Sequence, residues 1–359
     1  MRKDCEADFH GVHPPLSELD VNALRRRTQS SEPSPEPSSQ PSPARAPSGP
    51  TFAAATQPSY ARTLFLGPDG LRPGWGLVFY AVVYSALRQI SLLLAHPTIA
   101  LWTFVDECSL LLAATIPAVV LARVEHRPWR SYGLPVQRAF EPAFWKGILW
   151  GFSAITLLMV ALYEFHAFDF GHLVLHGLRL AKFGSFWAAM FLAVGLYEEF
   201  FFRGYSQFTL ARGTGFWPAA LALSVLFGWM HLGNPGEQWQ GALAAAAIGL
   251  FFCFTLRRTG SLWFAVGFHA AWDWGETFFY SVPDSGMKSP GHLLSSSLRG
   301  ADWLSGGSVG PEGSVLCFVV IALTWIAFEK THPAASIRGH REIVPLPATA
   351  GSSSLRSSE

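Results

Sequence analysis

The chain has 359 residues, of which half are apolar, 14% aromatic and only 14% charged. Soluble globular chains carry roughly 25% charged residues, and the mean hydropathy of +0.26 is held down by polar stretches at both ends. A net charge of +1 favours neither nucleic acid nor a strongly acidic partner. The composition excludes a soluble enzyme, a disulfide scaffold and a disordered protein, and reads as a membrane protein.

In chain order, residues 1–60 read as a disordered Pro/Ser-rich arm, with Arg25, Arg26 and Arg27 as a solvated, topology-setting cluster. No apolar run follows a basic start there, so no signal peptide is expected and insertion begins at an internal span. Eight apolar stretches of bilayer length follow, near 75–96, 101–123, 143–163, 185–208, 215–232, 238–257, 261–281 and 314–329. The expected fold is therefore all-α, a polytopic helical membrane bundle over 75–330, with a disordered tail over 331–359. Basic residues crowd the arm, the 124–142 loop (Arg127, Arg130, Arg138), the turns at Arg212 and at Arg257 and Arg258, and the tail (Arg338, Arg341). Positive-inside reasoning places both termini in the cytoplasm. Cys5, Cys108, Cys253 and Cys317 lie far apart, without the spacing of a metal site or a redox pair.

Ionisable residues inside spans are costly and mark pairing or function. Arg88 lies about as far before the first hairpin turn as Asp106 and Glu107 lie after it, so an antiparallel hairpin brings them to one depth. One of these acids is expected to neutralise Arg88. In the fourth span, GLYEEFFFRGY supplies Glu198, Glu199 and Arg203. Glu199 and Arg203 stand at i, i+4 with the acid first, the favourable order for an ion pair. Adjacent helical positions differ by about 100° in azimuth, so Glu198 and Glu199 are not expected to point into one site. Glu198 is left without a local partner, as suits a general base. The fifth span ends LSVLFGWMHLGN, with Phe227 and His231 on one face; the seventh carries His269 and Asp273 at i, i+4, followed by Glu276. Proton-transferring groups on three spans make the inventory of a hydrolytic site, water-activating or metal-binding.

These residues resemble a known pattern. GLYEEFFFRGY is similar to the EExxxR motif, LFGWMH to FxxxH and HAAWD to HxxxN/D of the CPBP proteins, the CAAX proteases and bacteriocin-processing enzymes. The resemblance covers roughly residues 185–281, and all three motifs occur in order on separate spans. It implies an intramembrane endopeptidase that cuts a membrane-anchored protein or peptide. By matching position, it implies that Glu198 activates the attacking water, with His231 assisting. His269 and Asp273 would stabilise the oxyanion, Arg203 would fix Glu199, and no cofactor would be required. Asp273 departs from the asparagine typical of the CAAX proteases. An ionised carboxylate repels an oxyanion, so Asp273 is expected to orient His269 by fixing its tautomer. The cleft is expected to open toward the cytoplasmic half. Two alternatives stand beside this reading: a zinc-dependent protease using Glu198, His231 and His269, and a non-catalytic membrane scaffold or immunity protein.

Overall fold

The computed structural model describes residues 60–67, 70–94 and 102–333. The arm expected at 1–60, apart from Tyr60, and the tail from 334 lie outside the described residues, with Arg25–Arg27, Arg338 and Arg341. A short helix, α1 (Tyr60–Phe65), leads into the two-residue strands β1 (Leu66–Gly67) and β2 (Gly70–Leu71), which pair antiparallel. The helices α2 (Pro73–Leu93), α3 (Trp102–Val124) and α4 (Pro142–Glu164) follow. Proline opens α2 and α4 at the position where its missing N–H costs nothing. Strand β3 (Phe168–Asp169) precedes α5 (Gly177–Glu199). That helix leads through a π-helical segment, Phe200–Ser206, kinked at Gly204 (φ −82°, ψ −115°), into α6 (Gln207–Thr214). Then come α7 (Phe216–His231), α8 (Trp239–Thr259) and α9 (Trp263–Trp274), the last continued by a π-helical turn, Gly275–Tyr280. Strand β4 (Ser297–Leu298) pairs with β3, and α10 (Asp302–Ser305) and α11 (Val315–Thr331) complete the order. Ser314 caps α11, its hydroxyl accepting from the Leu316 amide at 3.1 Å.

Helices thus occupy each apolar stretch read from the sequence. Among the described residues, five are long and apolar enough to cross a membrane by length and composition: 73–93, 103–124, 142–164, 177–214 and 239–259. The fourth differs most from its expected bounds of 185–208, because α5, the π-helical segment and α6 form one helix of 38 residues. Large apolar side chains such as Val78, Val82, Leu221, Val225 and Trp229 point outward on α2 and α7, as a lipid solvent requires. The protein is a helical membrane bundle.

Two helix pairs approach backbone to backbone. A β-carbon at Gly147 or Gly151 of α4 would collide with the carbonyls of Phe264 or Phe268 on α9, and one at Gly267 would strike that of Phe144. Gly228 of α7 lies equally close to the Ala242 carbonyl of α8. Small residues at these crossings let van der Waals contact replace the hydrophobic drive that lipid removes. Phe251, Phe252, Phe264 and Phe268 fill the space between α8 and α9. The start of α9 tucks under the 125–141 connection, where Gly133 accepts from the Leu262 amide at 2.7 Å and Pro135 from the Trp263 indole at 2.9 Å.

Candidate active site

A cavity of about 590 Å³ lies among the helices, lined by Arg88, Asp106, Glu107, Tyr197, Glu198, Phe227, His231, Phe252, His269 and Asp273, and by Asp284 and Glu312 of the last long connection. Every candidate residue read from the fourth, fifth and seventh spans therefore either lines this cavity or, as with Glu199 and Arg203, packs behind its wall. Linear helix geometry alone sets His231 deeper than Glu198 and His269, yet the three share one cavity. Glu198 sits about 16 residues, roughly 24 Å, from the end of its long helix, close to the depth of His231 in α7. His269 joins them because α9 already begins beneath a loop.

The cavity is built toward the ends of the helices that carry the turns at 232–238 and 281–289, whose Asn234, Ser285 and Met287 contribute to its lining. The basic turns at Arg127, Arg212 and Arg257 stand at the opposite ends of these helices.

The Glu199–Arg203 pair forms as i, i+4 spacing predicts, with Nη1 3.1 Å from Oε1 and both side chains fully buried. The rest of the guanidinium meets aromatic faces rather than oxygen. Its central carbon stands 4.3 Å from the Phe227 ring centroid and 5.9 Å from that of Phe252, and Nη2 lies on Gly249. Cation–π contact in a desolvated setting supports a charge that has one ionic partner. Phe227 of the FxxxH pattern is thus a hub. Its ring touches Arg203 and packs edge-on against His231, centroids 4.5 Å apart, and its carbonyl accepts from His231 Nδ1 at 2.8 Å. That bond commits Nδ1 as the donor and leaves Nε2 for other partners.

His269 is held more firmly. Its Nδ1 donates to Glu199 Oε1 at 3.1 Å, while Nε2 lies 3.6 Å from Glu198 Oε2 and 3.5 Å from Asp273 Oδ2. Phe252 stacks on the ring, 5.8 Å between centroids with the planes 25° apart. Two expectations change here. Glu198 and Glu199 do reach one site, because an imidazole inserted between them offers a nitrogen to each. The hydrogen bond that orients the ring runs from Nδ1 to Glu199, and Asp273 flanks Nε2. Helical periodicity treats one helix at a time and has no means of showing a ring from another helix.

Arg88 pairs with Asp106 through both terminal nitrogens, the second bond being 3.1 Å long. The pair joins α2 to α3 and also lines the cavity. Beside it, the hydroxyls of Tyr84 and Tyr197 lie 2.6 Å apart. Sequence reasoning missed Tyr197, Gly249 and Phe252, which carry no signal in an apolar span. It also missed Asp284 and Glu312, ordinary acids in a loop. Burial beside Asp273 and Glu312 pushes the Asp284 carboxyl well above the usual carboxylate range.

Residues 180–275 match the family model described as Rce1-like: Type II CAAX prenyl endopeptidase Rce1-like. This segment is a CAAX-protease domain of the CPBP family. Among curated proteins and solved structures, no match to the chain was found. The CAAX-protease domain and the apolar helices together make the chain an integral membrane protein with a peptide-hydrolase domain, of a family acting on membrane-associated proteins or peptides. The donor atoms of Glu198, His231 and His269 do not converge as a metal-holding set. Among the described residues, the set that converges is Glu276, Asp284 and Glu312.

Proposed function

We propose that the CAAX-protease domain is a glutamate-dependent intramembrane endopeptidase, with Glu198 as the general base. The observation that carries this reading is the Glu198 carboxylate at the wall of a closed-in cavity, beside His269 and facing the same space as His231. Glu198 accepts a proton from water while the water oxygen bonds to the scissile carbonyl carbon. The unprotonated Nε2 of His231 orients that water, its tautomer set by the Phe227 carbonyl. His269, its Nδ1–H bonded to Glu199, acts as the imidazolium and donates its Nε2–H to the oxyanion of the tetrahedral intermediate. On collapse the C–N bond breaks and the proton held by Glu198 passes to the leaving amine, so the carboxylate is regenerated. Arg203 and Phe227 act as positioning residues, since they reach the reaction through Glu199 and His231. The substrate is a membrane-anchored protein or peptide whose scissile bond enters the bundle.

The test compares membrane-protein termini in cells carrying the wild type with those carrying Glu198→Gln at matched abundance. General acid–base groups contribute about 10²–10⁴-fold, so cleaved termini should fall by at least about a hundredfold in the variant. Identical termini in both would leave the scaffold reading in place. At Asp273, Asn should keep activity and Leu should lose it. A dead Asn variant would show that the carboxylate itself is required.

A further inference from the structure

We propose that Glu276, Asp284 and Glu312 form a calcium site that clasps the 281–313 connection onto the end of α9. One carboxylate oxygen from each of the three lies within 4.8 Å of the other two. A single ion at the 2.3–2.6 Å bond lengths of calcium reaches oxygens so spaced.

The independent observation is Glu276. It is fully buried, and neither of its carboxylate oxygens has a partner in hydrogen-bond geometry, the nearby Trp272 indole being directed to Glu312. No ion pair reaches any of the three acids among the described residues. An unpaired buried carboxylate is among the costliest groups a protein can hold. A divalent cation satisfies all three at once.

The other two ligands are held in place before any ion arrives. Asp284 Oδ2 accepts from the Thr277 hydroxyl at 3.1 Å, and its backbone closes a tight turn with Met287. Glu312 accepts from the Trp272 indole at 3.2 Å and from both the amide and hydroxyl of Ser285, at 3.1 and 2.6 Å. The all-oxygen donor set suits a hard cation rather than zinc. Asp284 and Glu312 line the cavity, which supplies an entry path and room for coordinating water. The ion would tie the π-helical turn after α9 and the nearby turn at 284–287 to the turn before α11.

This inference does not depend on peptide hydrolysis, and its test does not read activity. The full-length protein in detergent micelles, stripped with chelator, is titrated with calcium chloride by calorimetry, and its unfolding midpoint is followed alongside. The expected result is one saturable site per chain and a rise in the midpoint. Glu276→Gln and Asp284→Asn should each weaken binding at least about tenfold and remove the rise, by loss of an anionic ligand. Magnesium at the same concentration should act more weakly, because it demands shorter, octahedral bonds. A wild type that takes up no calcium overturns the proposal, and so does binding that persists unchanged in the variants. If one variant does not fold, the other decides against the wild-type isotherm.

Discussion

Two of the arginine–carboxylate pairs among the described residues border the cavity region, and they differ in their surroundings. Glu199–Arg203 lies within one helix with both side chains fully buried, under the rings of Phe227 and Phe252. Arg88–Asp106 joins two helices at the cavity edge, with 25% and 22% of the side chains exposed. Burial multiplies the cost of losing one partner, because the remaining charge has no water to turn to. The inner pair also has a second duty, since Glu199 anchors His269. Chemically similar bonds therefore serve different ends. One sets the site and the other closes a hairpin.

Removing charge from each pair separates these roles. Arg203→Met should destabilise the protein by about 3–5 kcal/mol, the usual cost of orphaning a buried charge, read as lost abundance and easier unfolding in detergent. Adding Glu199→Gln should recover part of that stability without restoring a fixed His269. Arg88→Ala should cost less, about 1–2 kcal/mol, because its partner retains access to the cavity. Unchanged folding and abundance in Arg88→Ala would show that the hairpin does not need its ion pair. A carboxylate with no arginine gives the smallest effect. Burial pushes Glu237 up to about 7 from an ordinary 4.5. A raised carboxyl favours the folded state only while protonated, so its contribution is full below pH 4.5 and is lost as pH rises through 7. The unfolding midpoint should fall across that window in the wild type and fall less in Glu237→Gln.

The apolar helices, the Arg88–Asp106 register and the Glu199–Arg203 pair were legible because each follows from distances along one chain segment. Ten-odd residues on either side of a turn, or four along a helix, fix a neighbour whatever the tertiary fold. The meeting of Glu198, Glu199 and Asp273 around His269 was not legible in detail, since it depends on how α9 is set against α5. The three motifs showed which helices carry chemistry but not which nitrogen faces which acid. FFFRGYS offers no sign that it winds as a π-helix, because its apolar residues suit either form. Gly249 and Phe252 matter through what they touch. In a span rich in glycine, alanine and phenylalanine they look like their neighbours. Asp284 and Glu312 were passed over for the opposite reason, as acids in a loop are ordinary until a fold buries them.

The glycine contacts have a consequence for motion. Where α4 meets α9, and where α7 meets α8, backbone touches backbone, so neither pair can slide internally without collision. Between the two pairs lie flat phenylalanine rings, which permit small sliding in the manner of shear. His231 rides on one rigid pair; His269 and Asp273 ride on the other. The separation of the two histidines is therefore the soft coordinate of the site. On the proposed mechanism, a polypeptide entering from the bilayer would widen it, and the return stroke would bring Glu198, His231 and His269 back into register.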